Sequence, residues 1–221
     1  MKTVIFDLDG TLLNTLDDLH NSVAHALKAA ALPAIDKMDT RRYLGNGVRT
    51  LIDKCVAHVA PEASEEKKNE VFDIFRNYYV AHSMERTAPY GGVDQMLKAC
   101  HDNGYATAIV SNKLDEAVQD LYKRFFSQWV DLAIGETQGM KRKPAPDMVI
   151  EAMHRLAKMH DTGISAANCV YVGDSEVDLA TARNAGLRCV AVSWGFRDKG
   201  WLEECGAECI IDSPEQLINT L

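Results

Sequence analysis

From residue 88 onward the chain alternates between short apolar runs and stretches with a helical period. Tyr105-Ala106-Thr107-Ala108-Ile109-Val110 has the length and continuity of a buried strand. It follows Val93, Met96, Leu97 and Cys100, which recur at i, i+3, i+4 and i+7, and Gly104 stops that helix. The pattern repeats at Asp131-Leu132-Ala133-Ile134, Cys169-Val170-Tyr171-Val172, Arg188 to Val192 and Glu208-Cys209-Ile210-Ile211, and Lys2 to Phe6 opens it. Six strands joined by helices predict an α/β fold, a doubly wound parallel sheet with helices on both faces. Such a sheet binds ligands at the carboxyl ends of its strands.

Residues 15–86 break the rhythm. They hold no convincing strand and read as helices near 15–31, 47–59 and 64–83, punctuated by Pro33, Gly45, Gly47 and Pro61. The expected division is therefore a catalytic core of residues 1–14 and 87–221 with an inserted α-helical cap of residues 15–86. Because the insertion leaves after the first strand and returns near Pro89-Tyr90-Gly91-Gly92, it belongs over the carboxyl edge of the sheet, where a lid works.

Composition narrows the function classes. The 221 residues carry 24 Lys+Arg against 32 Asp+Glu, a net charge of −8, with no basic run longer than Lys141-Arg142-Lys143. A nucleic-acid partner is not expected, because the phosphate backbone rewards clustered cations. No apolar run approaches the ~20 residues of a membrane helix, and the first residues lack the apolar core of a secretory signal. The expectation is a cytoplasmic protein, a monomer or homodimer, whose six cysteines are reduced thiols. Cys205 and Cys209 are spaced to share a helical face, but no further Cys or His completes a metal site with them.

Four polar clusters fall directly after expected strands. In Asp7-Leu8-Asp9-Gly10-Thr11, two carboxylates one residue apart converge only if the chain turns, and Gly10 permits the turn. An aspartate facing phosphorus can act as a nucleophile while a neighbouring carboxylate transfers protons. Ser111-Asn112 offers a hydroxyl and backbone N–H groups suited to a phosphate oxygen, although an ordinary turn has the same residues. In Lys143-Pro144-Ala145-Pro146-Asp147 the prolines are expected to hold the segment extended and stiff, fixing the lysine charge. Gly173-Asp174-Ser175-Glu176-Val177-Asp178 places two carboxylates on one side of the first turn of a helix, where they also suit the helix dipole. Asp7, Asp9, Asp174 and Asp178 crowded into one crevice call for a cation, and Mg²⁺, a hard ion that prefers oxygen, is the expected one.

These four segments resemble, in order, the four motifs of the haloacid dehalogenase superfamily of phosphohydrolases. The resemblance extends to Asn184-Ala185-Gly186 and to Ser193-Trp194-Gly195-Phe196. It implies that Asp7 attacks phosphorus and is phosphorylated, and that Asp9 protonates the leaving oxygen and then activates water. It further implies that Lys143 offsets charge on the transferring group, that Ser111, Asn112, Gly10 and Thr11 cradle phosphate, and that the metal is held by Asp7, Asp174, the backbone carbonyl of Asp9, and Asp178 directly or through a water. Tyr43-Leu44-Gly45-Asn46-Gly47-Val48 is similar to the substrate loop of the phosphoglycolate phosphatase branch. Asn14 and Leu114 depart from the usual residues of that branch.

The resemblance thus implies a Mg²⁺-dependent phosphatase acting on a small phosphorylated metabolite, with 2-phosphoglycolate first among the candidates. Asn46 and Arg49, with Arg42 behind them, are the expected readers of the substrate in the cap. Sugar-phosphate hydrolysis, pyrophosphate hydrolysis and β-phosphoglucomutase-like transfer use the same core. Lys54 keeps open a Schiff-base phosphonatase, and a receiver-type phospho-switch would use Asp7 without Asp9.

Overall fold

Four residues with almost no exposed surface, Thr3–Phe6, form β1 at the centre of the sheet. A strand covered on both faces needs no polar alternation, which explains its continuous apolar run. The computed structural model describes residues 1–221. The other strands are β2 (Leu13–Asn14), β3 (Ala88–Pro89), β4 (Ala106–Leu114), β5 (Leu132–Glu136), β6 (Cys169–Gly173), β7 (Arg188–Val192) and β8 (Ile210–Ile211). Six of them form one sheet in the order β5-β4-β1-β6-β7-β8, and its registered pairs are parallel. The short β2 and β3 pair separately.

Ten helices complete the chain: α1 (Leu16–Ala29), α2 (Lys37–Tyr43), α3 (Gly47–Val59), α4 (Glu65–His82), α5 (Val93–Asp102), α6 (Asp115–Phe125), α7 (Asp147–Met159), α8 (Glu176–Asn184), α9 (Lys199–Glu204) and α10 (Leu217–Thr220). None is long and apolar enough to cross a membrane. The chain divides into two compact units, Met1–Leu13 with Pro89–Leu221, and Asn14–Ala88. In the first, Met148, Val149, Ala152 and Leu156 of α7 pack against Ile5, Ala106, Ala108, Val110 and Tyr171 of the sheet. These strand residues share a face because strand side chains alternate.

The second unit is helical. α1 buries Leu19, Val23, Ala26 and Leu27, and α4, which packs on it, buries Val71, Phe75 and Tyr79. The helix α2 has no counterpart in the apolar pattern: within Lys37–Tyr43 only Thr40 is buried. What starts it is a cap, with the Asp36 carboxylate accepting from the Met38 N–H at 2.7 Å. A second difference lies at the C-terminal end, where α9 stops at Glu204 and Gly206 (φ +85°) reverses the chain. Cys205 and Cys209 therefore do not share a helical face, and all six cysteines are free thiols.

Asp18, 2% exposed, closes the helical unit on itself. Its carboxylate accepts from the backbone N–H of Arg86 (3.0 Å to each oxygen), the N–H of Thr87 (2.9 Å) and the Thr87 hydroxyl (2.8 Å). The first turn of α1 is thereby joined to the segment that follows α4. Asp18→Ala would strand these buried donors, and we expect a loss of about 2–4 kcal/mol in the stability of this unit. Urea unfolding read by circular dichroism checks it; a midpoint equal to that of the wild type would show that water replaces the carboxylate.

Candidate active site

The topology alone gathers the polar clusters. Phe6 is in register with Ile109 of β4 on one side and Val172 of β6 on the other. Residues just past these registered pairs, at the carboxyl ends of the three strands, therefore meet at one edge: Asp7, then Ser111 to Lys113, then Gly173 and Asp174. The chain adds β4 and β5 on one side of β1 and returns to add β6, β7 and β8 on the other. That reversal is the topological switch point at which open α/β sheets bind ligands.

Past β1 the backbone coils tightly, with the Leu8 carbonyl accepting from the N–H of Leu12 (3.0 Å) and Leu13 (2.9 Å). Gly10 makes the turn at φ +97°, and a Cβ there would lie 2.5 Å from an oxygen of Asp174. The turn places the Thr11 hydroxyl 3.2 Å from both Asp7 Oδ2 and Asp174 Oδ1. Asp174 Oδ2 accepts from the Phe196 N–H at 2.6 Å. Asp178 joins from the first turn of α8 through a reciprocal cap in which its Oδ2 accepts from the Ser175 N–H (3.1 Å) and hydroxyl (2.6 Å). Asp7, Asp174 and Asp178 each bring a carboxylate oxygen to within 4.8 Å of the others, and all three are buried.

Lys143 faces this triad. Its Nζ lies 2.5 Å from Asp7 Oδ1, 2.9 Å from Asp178 Oδ1 and 3.0 Å from the Tyr171 hydroxyl. The segment carrying it is a turn, closed by the Ala145 N–H on the Arg142 carbonyl at 2.9 Å, and Pro146 is in the helical region at the start of α7. The extended, proline-stiffened strut expected at 143–147 is thus corrected: a fixed φ near −65° suits a turn and a helix start as well as an extended chain. Asn112 holds the turn instead. Its Oδ1 accepts from the Lys143 N–H at 2.8 Å and its Nδ2 donates to the Lys143 carbonyl at 3.1 Å.

The electrostatics follow from burial. Desolvation pushes the Asp7 carboxyl up to about 7, with Lys143 pulling it down and Asp178 pushing it further up. Burial likewise raises Asp174 well above the usual carboxylate range, with Asp178 and Asp7 adding to it. Burial opposes the charge on Lys143, but Asp178 and Asp7 outweigh it and hold the ammonium protonated. Three carboxylates against one ammonium leave two excess negative charges when all are ionised. A divalent cation matches that excess, and an all-oxygen donor set without thiolate or imidazole fits a hard ion such as Mg²⁺. All three carboxylates have both oxygens engaged, but Asp178 is the most heavily tied, accepting from Lys143, Tyr171 and both the N–H and hydroxyl of Ser175, so Asp7 and Asp174 are the better placed ligands.

Other expected residues are placed as follows. Asp9 is near enough for its charge to push Asp7 up, but it stands outside the triad, both its oxygens meeting the Lys113 ammonium at 2.9 and 3.0 Å. Ser111 is buried at the edge, its Oγ accepting from the Lys113 N–H at 3.2 Å. Asn46 stands at the N-cap of α3 without a capping bond from its side chain. Arg49 is engaged inside the helical unit, with Asp53 at 2.9 Å, Asn69 at 2.5 Å, Glu65 at 3.7 Å and the Phe72 ring beneath it. Arg42 pairs with Asp39 at 3.1 Å, and Lys54 is exposed over the Tyr43 ring rather than buried as a Schiff-base lysine requires.

Lys113 and Tyr171 were given no role by the sequence, and Trp194 entered there only within the extended resemblance. Trp194 Nε1 donates to the Thr11 carbonyl at 3.0 Å, which ties the loop after β7 to the loop after β1. Lys113 had a usable signal, since it directly follows Ser111-Asn112. Tyr171 had none, because its hydroxyl is made polar in role only by what surrounds it.

The sequence profile of the haloacid dehalogenase-like hydrolases matches residues 4–192. The chain belongs to that family. Similar relatives within the haloacid dehalogenase-like hydrolases include a phosphoglycolate phosphatase of Mesorhizobium japonicum, 33% identical over 199 residues, covering 89% of this chain and 84% of the relative. A phosphoglycolate phosphatase of Vibrio vulnificus is 28% identical over 226 residues, covering 100% of this chain and 96% of its own. Among solved structures, one from Lactobacillus delbrueckii subsp. bulgaricus, named for an expected phosphoglycolate phosphatase activity, superposes with a TM-score of 0.92. It is 33% identical and covers 100% of this chain and 98% of its own.

The crowded carboxylates have a thermodynamic signature. With a folded pKa of about 7 against 3.8 for the free group, Asp7 holds more protons folded than unfolded between those values. Stability of the metal-free protein should therefore fall as pH rises through that window and level off above about 7. Mg²⁺ should raise Tm most above pH 7, and Asp174→Asn should raise Tm without metal while erasing the Mg²⁺ response. Thermal melts from pH 5 to 8, with and without Mg²⁺, check this; a metal-free Tm that climbs over the window would refute it.

Proposed function

We propose that this protein is a Mg²⁺-dependent phosphomonoesterase that works through a phosphorylated Asp7 and acts on a small acidic metabolite, 2-phosphoglycolate before others. The observation that carries the reading is Asp7 at the end of the central strand, buried, one oxygen on Lys143 and the other on Thr11. The relatives named phosphoglycolate phosphatase support the substrate.

In this reading an Asp7 oxygen attacks phosphorus, and Lys143, held by Asp178, Tyr171 and the Asn112 clamp, offsets charge on the transferring oxygens. Ser111, at the same strand edge, donates its hydroxyl to a phosphoryl oxygen, together with backbone N–H groups of the loop after β1. Asp9 gives a proton to the departing ester oxygen and then takes one from the water that releases phosphate from Asp7. A divalent cation held by Asp7 and Asp174 supplies the remaining positive charge for the phosphoryl group. Thr11 keeps these two carboxylates in register, and Asp178 positions Lys143.

Asp7→Asn is nearly isosteric, so the fold should persist while kcat falls on the order of a thousandfold or more. Retention of more than about a tenth of the wild-type rate would point to direct attack by water instead. EDTA should abolish turnover and Mg²⁺ restore it. In a panel of phosphate esters ranked by kcat/KM, 2-phosphoglycolate should lead; a sugar phosphate at the head of the ranking would replace the substrate and leave the chemistry standing.

A further inference from the structure

Lys113 has no part in the steps above, yet it is buried at the same strand edge. Its side chain is 5% exposed and its ammonium meets both oxygens of Asp9, at 2.9 and 3.0 Å. The backbone beneath it is fixed as well, by the Lys113 N–H on Ser111 Oγ at 3.2 Å and by its place at the end of β4. The Asp9 side chain is 21% exposed, the most accessible of the four motif aspartates. An aspartate on a coiled loop has two free torsions. Gripped through both oxygens by a cation on a neighbouring strand, it keeps one orientation.

We infer that Lys113 is the positioning residue for Asp9, aiming its protonated carboxyl group at the ester oxygen and then its carboxylate at the attacking water. The inference rests on the phosphomonoesterase reading. In the first step the bond from Asp7 oxygen to phosphorus forms, the phosphorus–ester oxygen bond breaks, and the proton of Asp9 passes to the ester oxygen. In the second, water oxygen bonds to phosphorus, its proton passes to Asp9, and the bond to Asp7 breaks, returning the Asp7 carboxylate. Lys113 exchanges no proton in either step. Its effect is on where the Asp9 oxygen lies, and that matters most when the leaving group needs a proton.

The test compares two esters of different leaving-group basicity, 2-phosphoglycolate, whose alkoxide must be protonated, and p-nitrophenyl phosphate, whose phenolate leaves unaided. kcat/KM reports events up to ester cleavage, whereas kcat includes hydrolysis of the intermediate common to both substrates. Lys113→Met should lower kcat/KM about 30-fold or more for the alkyl ester and less than about threefold for the aryl ester, and lower kcat for both. Lys113→Arg should recover most of the loss, and Asp9→Asn should show the same leaving-group pattern. If Lys113→Met does not fold, Lys113→Gln is read in the same way. Equal losses of kcat/KM on both esters, or no loss on either, would overturn the inference while Asp9→Asn still separates them. If Asp9→Asn fails to separate the esters, the acid–base reading of Asp9 fails and the role of Lys113 with it.

Discussion

The structure is organised around one electrostatic difficulty, which is that three carboxylates are buried within a few ångströms of one another at the end of the central strand. Such a cluster is unfavourable by itself, since each ionised group raises the energy of the others in a site that water barely reaches. The neighbours answer it. Lys143 bridges Asp7 and Asp178, the Phe196 N–H and Thr11 hydroxyl reach Asp174, and Ser175 takes the remaining oxygen of Asp178. The excess of negative charge that remains fits a divalent cation. Even the backbone yields to it: a Cβ on Gly195 would stand 2.3 Å from Asp174 Cβ and 2.4 Å from the Gly10 carbonyl.

Around that cluster the cations are divided between tasks. Lys143, reached by a turn that Asn112 clamps, serves the carboxylate triad, while Lys113 serves Asp9 alone among the four motif aspartates. Both lysines are almost wholly buried, and each is compensated by a carboxylate within 3 Å. On the proposed mechanism the separation matters chemically, because an attacking group and a proton carrier need different surroundings. Burial pushes the Cys55, Cys100 and Cys169 thiols up to about 12, which disfavours their thiolates.

The helical unit is held by other means. Its two ends are joined by the Asp18 carboxylate, its long helices bury one apolar face each, and its cations are matched by acids on the same or the next helix. Arg49 is the clearest instance. A substrate carboxylate would have to compete there with Asp53 and Glu65, so a role in recognition requires an exchange of partners rather than a waiting charge.

Hydrophobic pattern by itself determined the number of sheet strands and their places along the chain, though not their order in the sheet, because a strand buried on both faces must be apolar throughout and Gly104 or Pro89 must punctuate it. The same local logic located the three long helices of the insertion and the acidic motifs, since residues that end a strand are read off the strand. It missed α2, whose start depends on the Asp36 cap rather than on an apolar stripe. What only the tertiary structure decided is which polar groups meet. Asp7 and Asp9 are two residues apart yet belong to different lysines, 136 and 104 residues away, and Asn112 grips the Lys143 backbone from 31 residues away. Such pairings arise when strands distant in sequence are laid side by side in register. A side chain's partner is then set by the neighbouring strand, about which its own sequence surroundings carry no information.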